Sequence, residues 1–228
     1  MSDVYDLLVR GARVVGPDGV GAADVAVADG VVAAVGPELD GAAAETVDAR
    51  DLLLLPGVVD AHVHLNDPGR ADWEGFATGT AALAAGGTTT AIDMPLNAIP
   101  PTLDAASFDA KVAAARGTAR VDVARWGGLV PGDLDRLDEL AARGVVGFKA
   151  FMSASGVAEF EAADDLTLVQ GMARAAHLGL PVAVHAESDE LTSRLAARAV
   201  AEGRTTMRDY LASRPVRAEL EAIGRATA

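Results

Sequence analysis

The stretch VVDAHVHL, residues 58–65, decides how the rest of the chain is read. It is a short, β-branched apolar run that follows Pro56-Gly57, the punctuation expected before a strand. Side chains two apart on a strand share a face, so His62 and His64 present two imidazoles to one point. Four later runs have the same character: TTTAIDM (88–94), VDVARWGGL (121–129), VVGFKAFM (145–152) and PVAVHAE (181–187). Ala-rich amphipathic stretches fill the gaps and are predicted to be helices: Trp73 to Ala85, Asp104 to Arg116, Asp133 to Arg143 and Asp165 to His177. Several open at Asp and close near Gly, as helix caps do.

Strand centres recur at roughly 24- to 36-residue intervals, the length of repeated βαβ units, which implies a parallel sheet. An open nucleotide-binding sheet would carry a glycine-rich phosphate turn after its first strand, and neither GxGxxG nor GK[ST] is present there. Polar residues sit instead where strands end: His62 and His64 on the first, Asp93 on the second, Lys149 late in the fourth, His185 on the fifth. That rim is where (β/α)8 barrels build their sites. The fold class is therefore α/β, an incomplete (β/α)8 barrel holding five of eight units over residues 56–228. Arg214 to Ala228 reads as a helix leading toward a sixth strand, so the chain is expected to continue for about 200 further residues.

Residues 1–55 read differently. Short Val, Leu and Ala runs alternate with turn signals at Gly16-Pro17-Asp18-Gly19, Asp29-Gly30 and Gly36-Pro37, predicting hairpins of a small β-sandwich subdomain.

Composition narrows the function. Against 33 acidic residues stand 19 basic ones, a formal charge of −14 with no Lys/Arg run, which disfavours nucleic acid and anionic membrane surfaces as partners. The absence of cysteine excludes disulfides, thiolate catalysis and sulfur-ligated metals, so any metal is held by His, carboxylate or something rarer. The N-terminus MSDVYDLLVRGARVV has early acids and no secretory core, and no apolar run reaches the ~18 residues of a spanning helix, so a cytoplasmic location is expected.

Lysine usage sharpens the site. Of the 19 basic residues only Lys111 and Lys149 are lysines. Lys149 lies inside the apolar run Val145 to Met152, where an unpaired ammonium is costly. It is either a snorkelling or ion-paired amine, or a neutral one able to react with CO2 and give an anionic carbamate. His185 ends a third apolar strand on the same rim. His177, in the helical Met172 to Leu178 stretch beside Gly179, reads as a helix C-terminal residue and is left out of the site.

Together these residues carry a resemblance. Leu55-Pro56-Gly57-Val58-Val59-Asp60, HVHLNDPGRADWEGF (62–76), TGTAALAAGGTTTAIDMPLNAIPPT (78–102), GFKAFM (147–152) and HAESDE (185–190) resemble the cyclic amidohydrolases of the amidohydrolase superfamily, across essentially the whole chain. The resemblance implies a β-sandwich made from both chain ends, a barrel, and two divalent metal ions, typically zinc, bridged by a carboxylated lysine. His62 and His64 match the family's H-x-H, Lys149 its bridging lysine and His185 its fifth-strand ligand. The family's sixth-strand His and its general-base Asp fall beyond residue 228, so no general base is assigned among these residues. Relatives are commonly tetramers, which implies a homo-oligomer.

Asn66 bears on the substrate. The family's dihydroorotases carry Arg there, a fork for a substrate carboxylate, whereas Asn offers only neutral donors and acceptors. A small neutral cyclic ureide therefore fits best, with Asn66 and Asn97 as candidate substrate contacts. The alternatives are a dihydropyrimidine or dihydroorotate hydrolase, or a noncatalytic scaffold on the same fold. Structural roles are the expectation for Trp73 and Phe76 as a helix staple, Asp93 as a loop cap and Gly86-Gly87 as close packing. Glu187 either orients a ligand or opens the next helix.

Overall fold

The computed structural model describes residues 4–132 and 134–228. Met1 to Asp3 of the N-terminal stretch, and Asp133, the expected opening of the third predicted helix, lie outside the described residues. The chain divides into two compact units, one ending at Gly57 and one beginning at Val58.

In the first unit, β1 (Val4–Gly16), β2 (Gly19–Ala28), β3 (Val31–Gly36), β4 (Ala42–Asp48) and β5 (Leu53–Leu54) form one sheet of order β3-β2-β1-β4, with β5 also on β1. Two of the three turn signals give hairpins. Pro17-Asp18 joins β1 to β2 through the pair Gly16 and Gly19, and Asp29-Gly30, at φ 52° and 76°, joins β2 to β3. Two successive left-handed residues make the turn whose twist suits a hairpin. The third signal does not: after Gly36-Pro37 the chain crosses to the far side of β1, and β4 runs parallel to it, Leu7 opposite Glu45. A turn motif specifies a change of direction but not which strand edge is then free.

A buried carboxylate fixes the irregular part of β1. Asp24 accepts from Gly11 N at 2.7 Å and Leu39 N at 3.1 Å, and pairs with Arg10 at 3.2 Å. These bonds satisfy a charge that would otherwise be expensive to bury, at the register shift between Val9 and Ala12.

The second unit contains β6 (Val58–Val63), β7 (Thr88–Asp93), β8 (Asp122–Arg125), β9 (Gly127–Gly128), β10 (Phe148–Phe151) and β11 (Val182–His185). Among the described residues the strands of this unit pair in parallel, β6-β7-β8 and β9-β10-β11. β8 and β9 are one run that changes partners at Trp126. The Trp126 amide donates to Asp93 O at 2.9 Å and the next amide, Gly127, to Gly147 O at 2.9 Å. The five expected strands therefore follow one another in order, each separated by helix from the next, as in part of a (β/α)8 barrel.

The helices are α1 (Phe76–Ala85), α2 (Ala105–Ala115), α3 (Asp135–Ala142), α4 (Asp165–His177), α5 (Asp189–Ala201), α6 (Met207–Ala212) and α7 (Val216–Ala226). α2 begins at a reciprocal cap: Asp104 accepts from Ser107 N at 2.8 Å, and Ser107 Oγ accepts from Asp104 N at 3.0 Å. α4 starts and ends where the sequence placed it, with Asp164 accepting from Thr167 N. α1 opens three residues later than expected. Phe76 is fully buried against Leu65, while Trp73 is exposed under the Arg70 guanidinium at 4.7 Å, so only Phe76 acts as the staple. The space beside Gly87 is open and its φ is 87°, so the glycine serves a left-handed turn after α1 and not close packing.

The main core joins Phe108 of α2, Leu137 and Leu140 of α3, Phe148 of β10 and Leu168 of α4. Full burial of a side chain such as Phe148 or Leu140 contributes roughly 1.5–3 kcal/mol. This layer fixes β10 against its helices, and with it the backbone that carries Lys149.

Candidate metal centre

His62 and His64 come from the end of β6. His64 follows the last strand residue, Val63, yet the two rings keep the predicted common face, with centroids 5.4 Å apart. Burial holds the His62 imidazole below its usual pKa, and the charges of Lys149 and His64, then His185, act in the same direction against Asp60.

His64 Nδ1 lies 2.7 Å from Leu96 O. A carbonyl can only accept, so the proton sits on Nδ1 and the Nε2 lone pair is left for another partner. This is the arrangement by which proteins orient an imidazole ligand.

Lys149 is the second residue of β10, earlier in the strand than expected, and only 5 % exposed. Among the described residues no hydrogen bond or ion pair reaches its amine. Its nearest aromatic neighbour is the Phe151 ring, 5.1 Å from Nζ. Burial pushes the ammonium below its ordinary range. Phe151 also stacks on His185, centroids 4.9 Å apart and planes within 16°. His185 Nε2 lies 3.6 Å from Glu187 Oε2, which pairs with Arg214 at 2.5 Å. Glu187 thus contacts the fifth-strand imidazole, and α5 begins only after it, with Ser188 at the N-cap position. His177 ends α4 exposed.

By chemical type these donors suit divalent ions: three imidazoles, one with its second nitrogen already tied, and a buried amine with no acceptor. Among the described residues no three His, Asp or Glu side chains lie close enough to hold an ion by themselves. The fourth donor, Lys149, is of a different chemical kind.

Next to the imidazoles, Asn66 is buried with φ 56°, and its Oδ1 accepts from Asn97 Nδ2 at 3.1 Å. Asparagine is one of the few non-glycine residues that tolerate that backbone. Arg70 Nη1 donates to Asn97 O at 3.3 Å.

Sequence reasoning did not find the ion pair beneath this rim. Lys111 of α2 and Asp93 at the end of β7 are 1 % and 0 % exposed as side chains, with Nζ and Oδ2 2.8 Å apart. Lys111 Nζ also donates to Met94 O at 2.7 Å, and Asp93 Oδ1 accepts from Leu65 N at 2.9 Å. Burial pushes the Lys111 ammonium down while Asp93 opposes the shift. The rarity of lysine, which singled out Lys149, pointed equally to Lys111.

Residues 53–224 match the model of the amidohydrolase family, so the chain belongs to that family. Among curated proteins it is similar to the allantoinase of Rubrobacter xylanophilus, 66% identical over 222 residues, covering 97% of this chain and 49% of that protein. It is also similar to the allantoinase of Escherichia coli O1:K1 / APEC, 44% identical over 225 residues, with 97% and 49% covered. Among solved structures, the L-hydantoinase (dihydropyrimidinase) from Arthrobacter aurescens has a TM-score of 0.93 at 38% identity, covering 97% of this chain and 49% of that one. The chain spans about half the length of the curated relatives it matches. No helix among the described residues is long and apolar enough to cross a membrane.

Proposed function

We propose that the protein hydrolyses a ring amide of a small neutral cyclic ureide, allantoin, to the open-chain allantoate. The observation that carries this reading is the 66% identity to an allantoinase, which spans the rim residues. His62, His64, Lys149 and His185 are the proposed metal ligands, for two divalent ions, zinc by preference. Bound there, the ions supply Lewis acidity that polarises a ring carbonyl and brings the pKa of water toward neutrality.

The chain's own groups have separate tasks. His64, its Nδ1–H held by Leu96, offers Nε2 in a fixed direction. The Lys149 amine, unprotonated, adds through nitrogen to the carbon of CO2. One C=O electron pair moves to oxygen and a proton leaves nitrogen, giving a carbamate with two donor oxygens. Asn66 and Asn97 orient the ring through neutral hydrogen bonds. In the net reaction water adds across the amide C–N bond, leaving a carboxylate and a freed nitrogen. The general base lies outside these residues in this reading.

Residues 1–55 contribute part of a β-sandwich, residues 56–228 the first five barrel units, and the protein works in the cytoplasm as a tetramer in purine catabolism.

A second reading, hydrolysis of hydantoins or dihydropyrimidines, is favoured by the fit to the Arthrobacter enzyme. Assaying the native protein on allantoin, dihydrouracil and dihydroorotate, with elemental analysis of the same sample, separates the two. Turnover of allantoin with bound zinc is expected. Preference for dihydrouracil supports the second reading, and absence of both metal and turnover overturns both.

A further inference from the structure

Two charged side chains, Asp93 and Lys111, are sealed beneath the rim with no part in the proposed chemistry. Apart from the contact between them, their side-chain bonds run to backbone that carries the site. Asp93 Oδ1 takes the amide proton of Leu65, the residue after His64. Lys111 Nζ binds Met94 O, and Met94 N in turn donates to Val63 O at 2.8 Å, on the other side of His64. The same segment supplies Leu96 O, which holds the His64 ring. His64 is thus held at the backbone before it, at the backbone after it and at its own Nδ1, each time from residues 93–96.

A buried ion pair is weak evidence for stability, because apolar residues of similar size often serve as well. The placement here gives it another use. A lysine fits where an arginine does not: its compact head reaches both a carboxylate oxygen and a carbonyl from a helix packed directly behind the strand. Leu65 and Asp93 are themselves buried, so the Leu65 amide has Asp93 as its acceptor and no solvent substitute.

We propose that Asp93 and Lys111 are positioning residues for the ligand His64, with Asp93 Oδ1 fixing the Leu65 amide and Lys111 fixing that carboxylate. The proposal rests on the metal-centre reading above.

Its test uses two double variants of the native protein. Asp93→Asn with Lys111→Met removes both charges and keeps an oxygen for Leu65 N–H. Asp93→Leu with Lys111→Met removes the charges and the oxygen. Zinc affinity is read by chelator competition and folding by thermal melting. The Asn variant is expected to bind zinc within about threefold of the parent, and the Leu variant to lose about 10- to 100-fold, the cost of losing a partner that orients a ligand. The two should melt close together. Equal affinity in both variants, whether retained or lost, overturns the positioning role. A parent that takes up no zinc overturns the metal reading itself, an outcome visible without any substitution. If the Leu variant does not fold, hydrogen exchange of the Leu65 amide in the parent decides. Strong protection is expected, and exchange at the rate of an open loop overturns the proposal.

Discussion

The His64 ring nitrogen Nδ1 and the Leu96 carbonyl lie 2.7 Å apart, which fixes both the tautomer and the direction of the free nitrogen. The acceptor is backbone, so no side-chain substitution at position 96 removes it. The ligand itself is the place to intervene. His64→Ala should lower the zinc content of the native protein and reduce kcat/KM by more than the roughly 10- to 100-fold expected for an outer-sphere loss. Elemental analysis alongside kinetics checks this.

Lys149→Arg puts a permanent cation where the reading needs a neutral, reactive amine. Arginine stays protonated and cannot add to CO2. The variant should fold, bind less metal and show no measurable ring opening. Native mass spectrometry of the parent should find Lys149 heavier by one CO2, and a parent with only unmodified lysine would contradict the carbamate.

Asn66→Ala tests a residue with two local duties. It gives up a tolerated left-handed backbone and the hydrogen bond from Asn97. A loss of about 1–2 kcal/mol of stability is expected, together with a rise in KM for the ureide. Denaturant melts and saturation kinetics on the same preparation separate the two effects.

Asp104 caps the helix that carries Lys111. Its bonds from Ser107 hold the carboxyl below the ordinary carboxylate range, with the backbone bond the largest cause. A depressed folded pKa means the cap stabilises fully above the unfolded value of 3.8 and fades as pH falls through the lower folded one. Asp104→Ala should cost about 1 kcal/mol near neutrality. Asp104→Asn should cost less and flatten the acid side of the stability curve, measured by denaturant midpoints across acidic pH.

Much of this architecture was legible in residue order. The strand runs, the cap at Asp104 and the common face of His62 and His64 follow from periodicities two and 3.6. The parallel return of β4 was not, because nothing near Gly36-Pro37 encodes which side of β1 is vacant. Lys111 was missed for a related reason. In the Ala-rich helix AASFDAKVAAA a lone lysine reads as solvated, and only the approach of β7 buries it. Local patterns report which elements form. Contacts between distant elements decide which polar residues end up inside.

The change of partner at Trp126 has a mechanical consequence. One stave gives its first half to the neighbour on one side and its second half to the neighbour on the other, while the indole Nε1 ties back to Ala61 O at 3.0 Å. The wall can bend at that residue without breaking a ladder, and the tie limits how far. Because Ala61 immediately precedes His62, that tie joins the third stave directly to the backbone presenting the first imidazole.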